Sequence, residues 1–95
     1  MTRPVRFSFR LYLAGDSPNS IQALGNLRAL CEELLPSRHE IELVDILEEP
    51  SRALADGVML TPTLVRTSPR PHRTTIGTLS NRPMVIREME IPEAP

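Results

Sequence analysis

Few side chains in this chain could do chemistry, and their spacing argues against most of it. Two-thiol redox chemistry needs a thiolate at a helix start and a second thiol one turn later to resolve the mixed disulfide. The segment where such a centre would fall, Gly15-Asp16-Ser17-Pro18-Asn19-Ser20, holds no cysteine. The sole cysteine, Cys31, falls in the apolar stripe of a helix, where it packs rather than reacts. His39 and His72 lie far apart and outside any short metal-ligand or nucleophile motif, so they read as exposed side chains. Glu40, Glu42, Asp45, Glu48 and Glu49 supply carboxylates, but their number alone defines no sugar, metal or phosphate site; they suit a solvated strand edge or, after that, a binding surface. Gly15 and Gly77 lack the multi-glycine spacing and the following Lys-Ser or Lys-Thr of a phosphate loop. Thr61-Pro62-Thr63 reads as a rigid turn into a strand, with a cis bond before Pro62 as one way to fix it and a conformational gate as the sharper alternative. No catalytic residue, cofactor or metal is expected.

The composition narrows the partners. At 95 residues and 10.7 kDa the chain reads as one domain, 1–95. Folding at this size buries about 60 to 65% of the extended surface, so the core is thin and self-association or a partner would add to it. Eleven basic residues, all arginine, against twelve acids give a net charge of −1, which supplies no global field for nucleic acid or an anionic membrane. With Phe7, Phe9 and Tyr12 as the only aromatics there is no stacking platform for single strands. No apolar run approaches the roughly 20 residues of a membrane span, and Arg6, Ser8 and Arg10 interrupt any signal-like core, so a cytoplasmic location is expected. A single cysteine excludes an internal disulfide framework. Charge is uneven along the chain: Arg38 to Asp56 carries six acids and two arginines, Arg66 to Arg87 five arginines and no acid. That asymmetry could pair faces between subunits or dock one face onto an oppositely charged partner.

The elements that must position these residues follow from periodicity. Val5, Phe7, Phe9, Leu11 and Leu13 alternate with Arg6, Ser8, Arg10 and Tyr12, which predicts a strand burying one face. Gly15-Asp16-Ser17-Pro18 breaks it, with Ser17 as a cap and Pro18 at the first helical position. Ile21, Leu24, Leu27, Leu30 or Cys31, and Leu34 form the buried stripe of the helix that follows, which Pro36 ends. Ile41 to Leu47 reads as a strand buried on both faces, parallel to the first through a right-handed crossover. Pro50 to Asp56 predicts short helical turns anchored by Leu54 and stopped by Gly57. Leu60–Thr67 and His72–Leu79 predict an antiparallel hairpin about Ser68-Pro69-Arg70-Pro71. Ser80 or Asn81 caps a last helix with Pro83 early and Val85, Ile86 and Met89 inward, while Pro92 and Pro95 disfavour helix in the tail. The order, βαβαββα with a mixed sheet, is an α/β thioredoxin-like one. Local instructions are strong before Pro50 and weak after it.

Leu11-Tyr12-Leu13-Ala14-Gly15-Asp16-Ser17-Pro18-Asn19-Ser20, Thr61-Pro62-Thr63-Leu64 and Gly77-Thr78-Leu79-Ser80-Asn81-Arg82 together resemble the KaiB family of circadian clock proteins, over about residues 5–90. The same motifs relate the chain to the thioredoxin-like input domains of sensor kinases. The resemblance implies a non-enzymatic regulator that binds the ring ATPase KaiC and alters its phosphorylation cycle, with a sensor histidine kinase as a further partner. It also implies self-association as a dimer or tetramer, and two folds: a tetrameric ground fold and a monomeric thioredoxin-like one, with Val5 to Leu47 constant and about Pro50 to Glu90 rearranging. Exposed side chains of the first helix and the edge of the second strand, including Asn19, Arg28, Glu42 and Asp45, become the candidate protein-binding surface. Pro62, Pro69 and Pro71 become candidates for conformational control. The sequence departs from the family at its end, where Pro83, Arg87 and Pro92 shorten or perturb the final helix and the common aromatic is missing. A relative serving stress signalling, or a fixed-fold, redox-dead thioredoxin-like adaptor in sensor kinase signalling, is the alternative.

Overall fold

A computed structural model describes residues 5–93 of the chain; Met1 to Pro4, Ala94 and Pro95 lie outside the described residues. The elements are β1 (Phe7–Leu13), α1 (Pro18–Leu34), β2 (His39–Asp45), α2 (Pro50–Ala55), β3 (Thr63–Ser68), β4 (Arg73–Ile76) and α3 (Arg82–Met89). They form one mixed sheet in the order β2-β1-β3-β4. β1 and β2 are parallel, as a strand–helix–strand crossover requires, and β3 runs antiparallel to both β1 and β4. The order and the hairpin are those predicted.

Each face of the sheet has its own apolar cluster. On one face Phe7, Phe9, Leu11 and Leu64 pack under α1 and α3 with Leu27, Leu30, Cys31, Val85 and Met89. On the other, Tyr12, Val44, Ala53 and Val65 are gathered beneath α2. This second cluster corrects the strand reading. Tyr12 is 1% exposed instead of facing water, because α2 roofs its side of the sheet. Val5, placed in the buried row by its spacing, is exposed ahead of the first paired residue.

The buried stripe of α1 is rotated from the predicted one. Ser20 and Ala23 face the core and Ile21 is 60% exposed, since small side chains at the first turns let the helix approach the sheet. β2 is an edge strand and buries only Val44, so the expectation of burial on both faces fails: among the described residues no strand covers its outer side, and Leu43 and Leu47 remain exposed. α2 is anchored by Ala53, not Leu54, which is 78% exposed; adjacent residues sit about 100° apart on a helix, so one short turn can seat only one of them.

Ser17 makes no side-chain cap; its hydroxyl donates to Ser20 Oγ (2.8 Å). Asn81 does cap α3, its Oδ1 accepting from the Met84 N–H at 3.2 Å, with Pro83 in the first turn. The helix stops at Glu90, which takes a left-handed conformation (φ 54°). Asn81→Ala should lower unfolding free energy by about 1 kcal/mol, with the loss read from the midpoint of urea denaturation and Asn81→Asp retaining most of it. The Thr61–Pro62, Ser68–Pro69 and Arg70–Pro71 bonds are all cis.

One buried cation ties the second half together. Arg66 is 2% exposed, donates through Nη1 to the Met89 carbonyl (2.6 Å) and through Nη2 to the Pro71 carbonyl (2.7 Å), and stands 6.0 Å from the Phe7 ring centroid. Its Nε has no partner among the described residues, and burial lowers its pKa. Periodicity could not have found it, because a single arginine in a strand reads as an outward residue.

Candidate functional site

The β1–α1 turn is held from two sides. Ser20 Oγ accepts from the Ala14 N–H (3.1 Å), and Asp45 Oδ1 accepts from the N–H groups of Gly15 (3.1 Å) and Leu47 (2.9 Å). Gly15 has φ 56°, a conformation that favours glycine. Tyr12 is opposite Thr63 in the β1–β3 register, which brings buried Pro62 alongside the end of β1 and so beside this turn. The turn presents hydroxyls, an acid and an amide where a redox centre would present thiols. Among the described residues no group of three or more metal-ligating side chains occurs, and no helix is long and apolar enough to cross a membrane.

Cys31 sits fully buried one helix away from that turn. Burial, with a smaller contribution from the Glu32 charge, pushes its thiol pKa up to about 12. It should therefore give no reaction with Ellman's reagent at pH 8 in the folded protein and one thiol equivalent after unfolding. Cys31→Ala should weaken the fold by about 1 kcal/mol through the void it leaves while partner binding stays measurable; loss of binding at unchanged stability would refute a packing role.

The four residues read as a protein-binding surface do not form one patch of free side chains. Asn19 and Arg28 are exposed on α1. Asp45 is occupied by the backbone it fixes. Glu42 lies on the edge strand but within an ion-pair network: Oε1 accepts from Arg10 Nε (2.9 Å) and Oε2 from Arg52 Nη2 (2.7 Å). Arg10 Nη1 also reaches Asp56 (2.8 Å), which accepts the Tyr12 hydroxyl as well. The Tyr12 hydrogen bond, then the Arg10 hydrogen bond and charge, hold the Asp56 carboxyl below its ordinary range despite its partial burial. Arg10 and Arg52 do the same for Glu42. Tyr12 moves the other way: burial first, then Asp56, raises its phenol pKa. The acidic stretch after Arg38 is thus partly neutralised across β1, β2 and α2, a pairing that sequence distance hides. Pro62 is buried, Pro69 half-buried and Pro71 exposed.

Sequence reasoning missed an apolar rim on the second half. Met59, Leu60 and Ile76 are exposed, Met59 by 92%, around a groove of about 280 Å³ between the α2–β3 loop and β4. Their clustering depends on the hairpin register, but three apolar residues in the run Val58-Met59-Leu60 outside any element were a signal for it. A second groove, about 710 Å³, follows the outer side of α3 past Pro83, Ile86, Ile91 and Pro92.

This geometry defines a class: a thioredoxin-like scaffold whose redox position carries no thiol. Solved structures agree on the fold. Mitochondrial thioredoxin 3 from Saccharomyces cerevisiae aligns with a TM-score of 0.71 at 16% identity, covering 90% of this chain and 78% of that one. The N-terminal domain of Synechococcus elongatus SasA aligns with a TM-score of 0.68 at 16% identity, over 100% and 93%. The chain belongs to the KaiB family, whose KaiB domain model matches residues 10–90. It is 38% identical over 86 residues to the circadian clock protein KaiB3 of a Synechocystis species, covering 90% of this chain and 84% of that protein. It is 36% identical over 90 residues to the circadian clock oscillator protein KaiB of Thermosynechococcus vestitus, covering 93% and 83%.

Proposed function

We propose that this protein is a non-enzymatic regulator that docks on a KaiC-like ring ATPase and modulates its phosphorylation or signalling cycle. Membership of the KaiB family carries the reading. The thiol-free turn at Asp16–Asn19 and the shielded thiol of Cys31 support it, because they leave the scaffold surfaces to offer instead of a reaction centre. On this reading residues 1–95 act in the cytoplasm as one KaiB-like domain, free or self-associated as a dimer or tetramer. Asn19 and Arg28 contribute to docking from the open side of α1. Glu42 and Asp45 contribute mainly by shaping the strand edge and turn, given the partners they already hold.

The family resemblance extends the proposal to a change of fold after about Pro50, with Pro62, Pro69 and Pro71 as control points. If only a fraction of the molecules has the competent fold, apparent affinity falls by that fraction. A fixed-fold adaptor for a sensor histidine kinase is the second reading. The observation favouring it is Arg66, which binds β3, the β3–β4 turn and the end of α3 into one packed unit.

The test is backbone NMR of the isotope-labelled protein, alone and with the KaiC-like ATPase encoded in the same genome, alongside co-elution of the two. Co-elution with a second set of signals for residues after Pro50, one set selected by the ATPase, supports docking with a fold change. Co-elution with a single set supports docking without it. Absence of any complex with the ATPase, together with binding to a sensor kinase, overturns the proposal in favour of the adaptor.

A further inference from the structure

The two edges of the sheet are not equally protected. β2 carries Glu40 and Glu42 on its exposed edge, and charges of this kind discourage pairing with a further strand. β4 closes the other edge with the sequence Arg-Thr-Thr-Ile and contains neither proline nor lysine. Its ladder phase follows from one bond. The Gly77 N–H donates to the Pro62 carbonyl at 2.9 Å, and the register continues Thr63↔Ile76, Leu64↔Thr75 and Val65↔Thr74. Hydrogen-bonded and non-hydrogen-bonded pairs alternate in an antiparallel ladder, so Arg73 and Thr75 bond to β3 while the N–H and C=O groups of Thr74 and Ile76 aim at the open edge. Among the described residues no hydrogen bond engages those four groups.

Beside that edge lies the apolar groove. The side chains of Thr74 and Ile76 are on the face shared with Thr63 and Val65, where Met59 and Leu60 rise from the α2–β3 loop. At the other end of the same edge the charge is positive. Arg70 stands exposed in the turn and forms no ion pair among the described residues, and no acid occurs from Arg66 to Arg87; Arg73 is exposed within the strand and pairs with Glu90 (2.6 Å), itself more than half exposed. An open strand edge, apolar pockets for alternate side chains and a basic end are the features that bind an extended peptide by strand addition.

We propose that β4 is a docking edge for an extended, acidic segment of a partner protein, which joins the sheet as a fifth strand. Its main chain bonds to Thr74 and Ile76, its apolar side chains cover Met59, Leu60 and Ile76, and its carboxylates face Arg70 and compete with Glu90 for Arg73. The inference goes beyond the ring-ATPase reading, since any partner presenting such a segment qualifies.

The experiment titrates the isotope-labelled full chain with a blocked eight-residue peptide of alternating glutamate and valine, and with the same peptide carrying lysine for glutamate. The acidic peptide should shift the backbone signals of residues 58–60 and 73–76, slow exchange of the Thr74 and Ile76 amide protons, and bind more weakly as salt rises; the lysine peptide should not bind. Thr74→Pro removes an outward N–H without touching the ladder to β3 and is tolerated on an edge strand. It should weaken the acidic peptide at least tenfold, while Thr74→Ala leaves it within twofold. Equal binding of both peptides, shifts elsewhere, no binding at all, or full affinity in a folded Thr74→Pro variant would each overturn strand addition. A complex with the ring ATPase that survives Thr74→Pro would overturn this edge as that partner's dock and leave the ring-ATPase reading standing.

Discussion

Arg66→Ala is expected to lower the unfolding free energy by about 3 kcal/mol, a large part of the roughly 5 to 15 kcal/mol typical of a small domain. Two effects add. The first is the void left by a large buried side chain lying over Phe7. The second is the loss of donors to two carbonyls, those of Met89 and Pro71. Met89 is the last residue of α3, where carbonyls lack intrahelical partners and the helix dipole favours a cation. Replacing Arg66 by Met separates the effects, since it restores much of the volume and none of the donors. Urea denaturation should place Arg66→Met about midway between the parent and Arg66→Ala. Parent-like stability of the Met variant would mean that the desolvation cost of the guanidinium cancels its hydrogen bonds, and that only its volume matters.

The second large effect concerns the seam between α2 and the sheet. Asp56→Ala should cost about 2 kcal/mol, because it removes two hydrogen bonds to a carboxylate, from Arg10 and from the hydroxyl of a buried Tyr12, which is left only the Arg52 carbonyl (3.1 Å) as acceptor. Glu42→Gln should cost only a few tenths of a kcal/mol, since that carboxylate is nearly half exposed and solvent screens its pairs. The sign of the pH dependence follows from the lowered carboxyl pKa values of Asp56 and Glu42. The folded protein holds these protons less tightly than the unfolded chain. Their stabilisation is therefore complete above about pH 4 to 5, the ordinary carboxylate range, and is lost as pH falls through the lower folded values. Denaturation midpoints measured from pH 7 down to pH 2 should fall across that window, and Asp56→Asn should flatten part of the fall. An unchanged acid limb in Asp56→Asn would show that other carboxylates govern it.

The sequence made the scaffold legible where periodicity was long and uninterrupted. β1 follows from the alternation that ends at Gly15, the length of α1 and the crossover to β2 from apolar spacing between Gly15 and Pro36, and the hairpin from prolines that cannot pair in a ladder. Facing was harder to read. The row of Ile21 and Leu24 looked like the core stripe of α1 because hydrophobicity says nothing of how closely a helix must approach a sheet, and Ser20 and Ala23 won on size. Tyr12 looked like an outward residue because the roof above it comes from a six-residue helix with little pattern of its own. The candidate surface was only partly visible for the same reason. Asn19 and Arg28 could be read as exposed, but the partners of Glu42 and Asp45 come from elements 10 to 32 residues away along the chain. The groove beside β4 exists only once the hairpin register is fixed.

Among the described residues every ion pair is made by an arginine, and the sequence contains no lysine at all. Guanidinium stays protonated across the whole biological pH range, so the cationic half of this surface cannot be titrated away. Nor does it offer a side-chain amine to acyl transfer or to succinimide cross-linkers. Tuning of its charge by acetyl marks is closed to this molecule, and cross-linking maps of its complexes will have to rely on carboxylate-directed reagents.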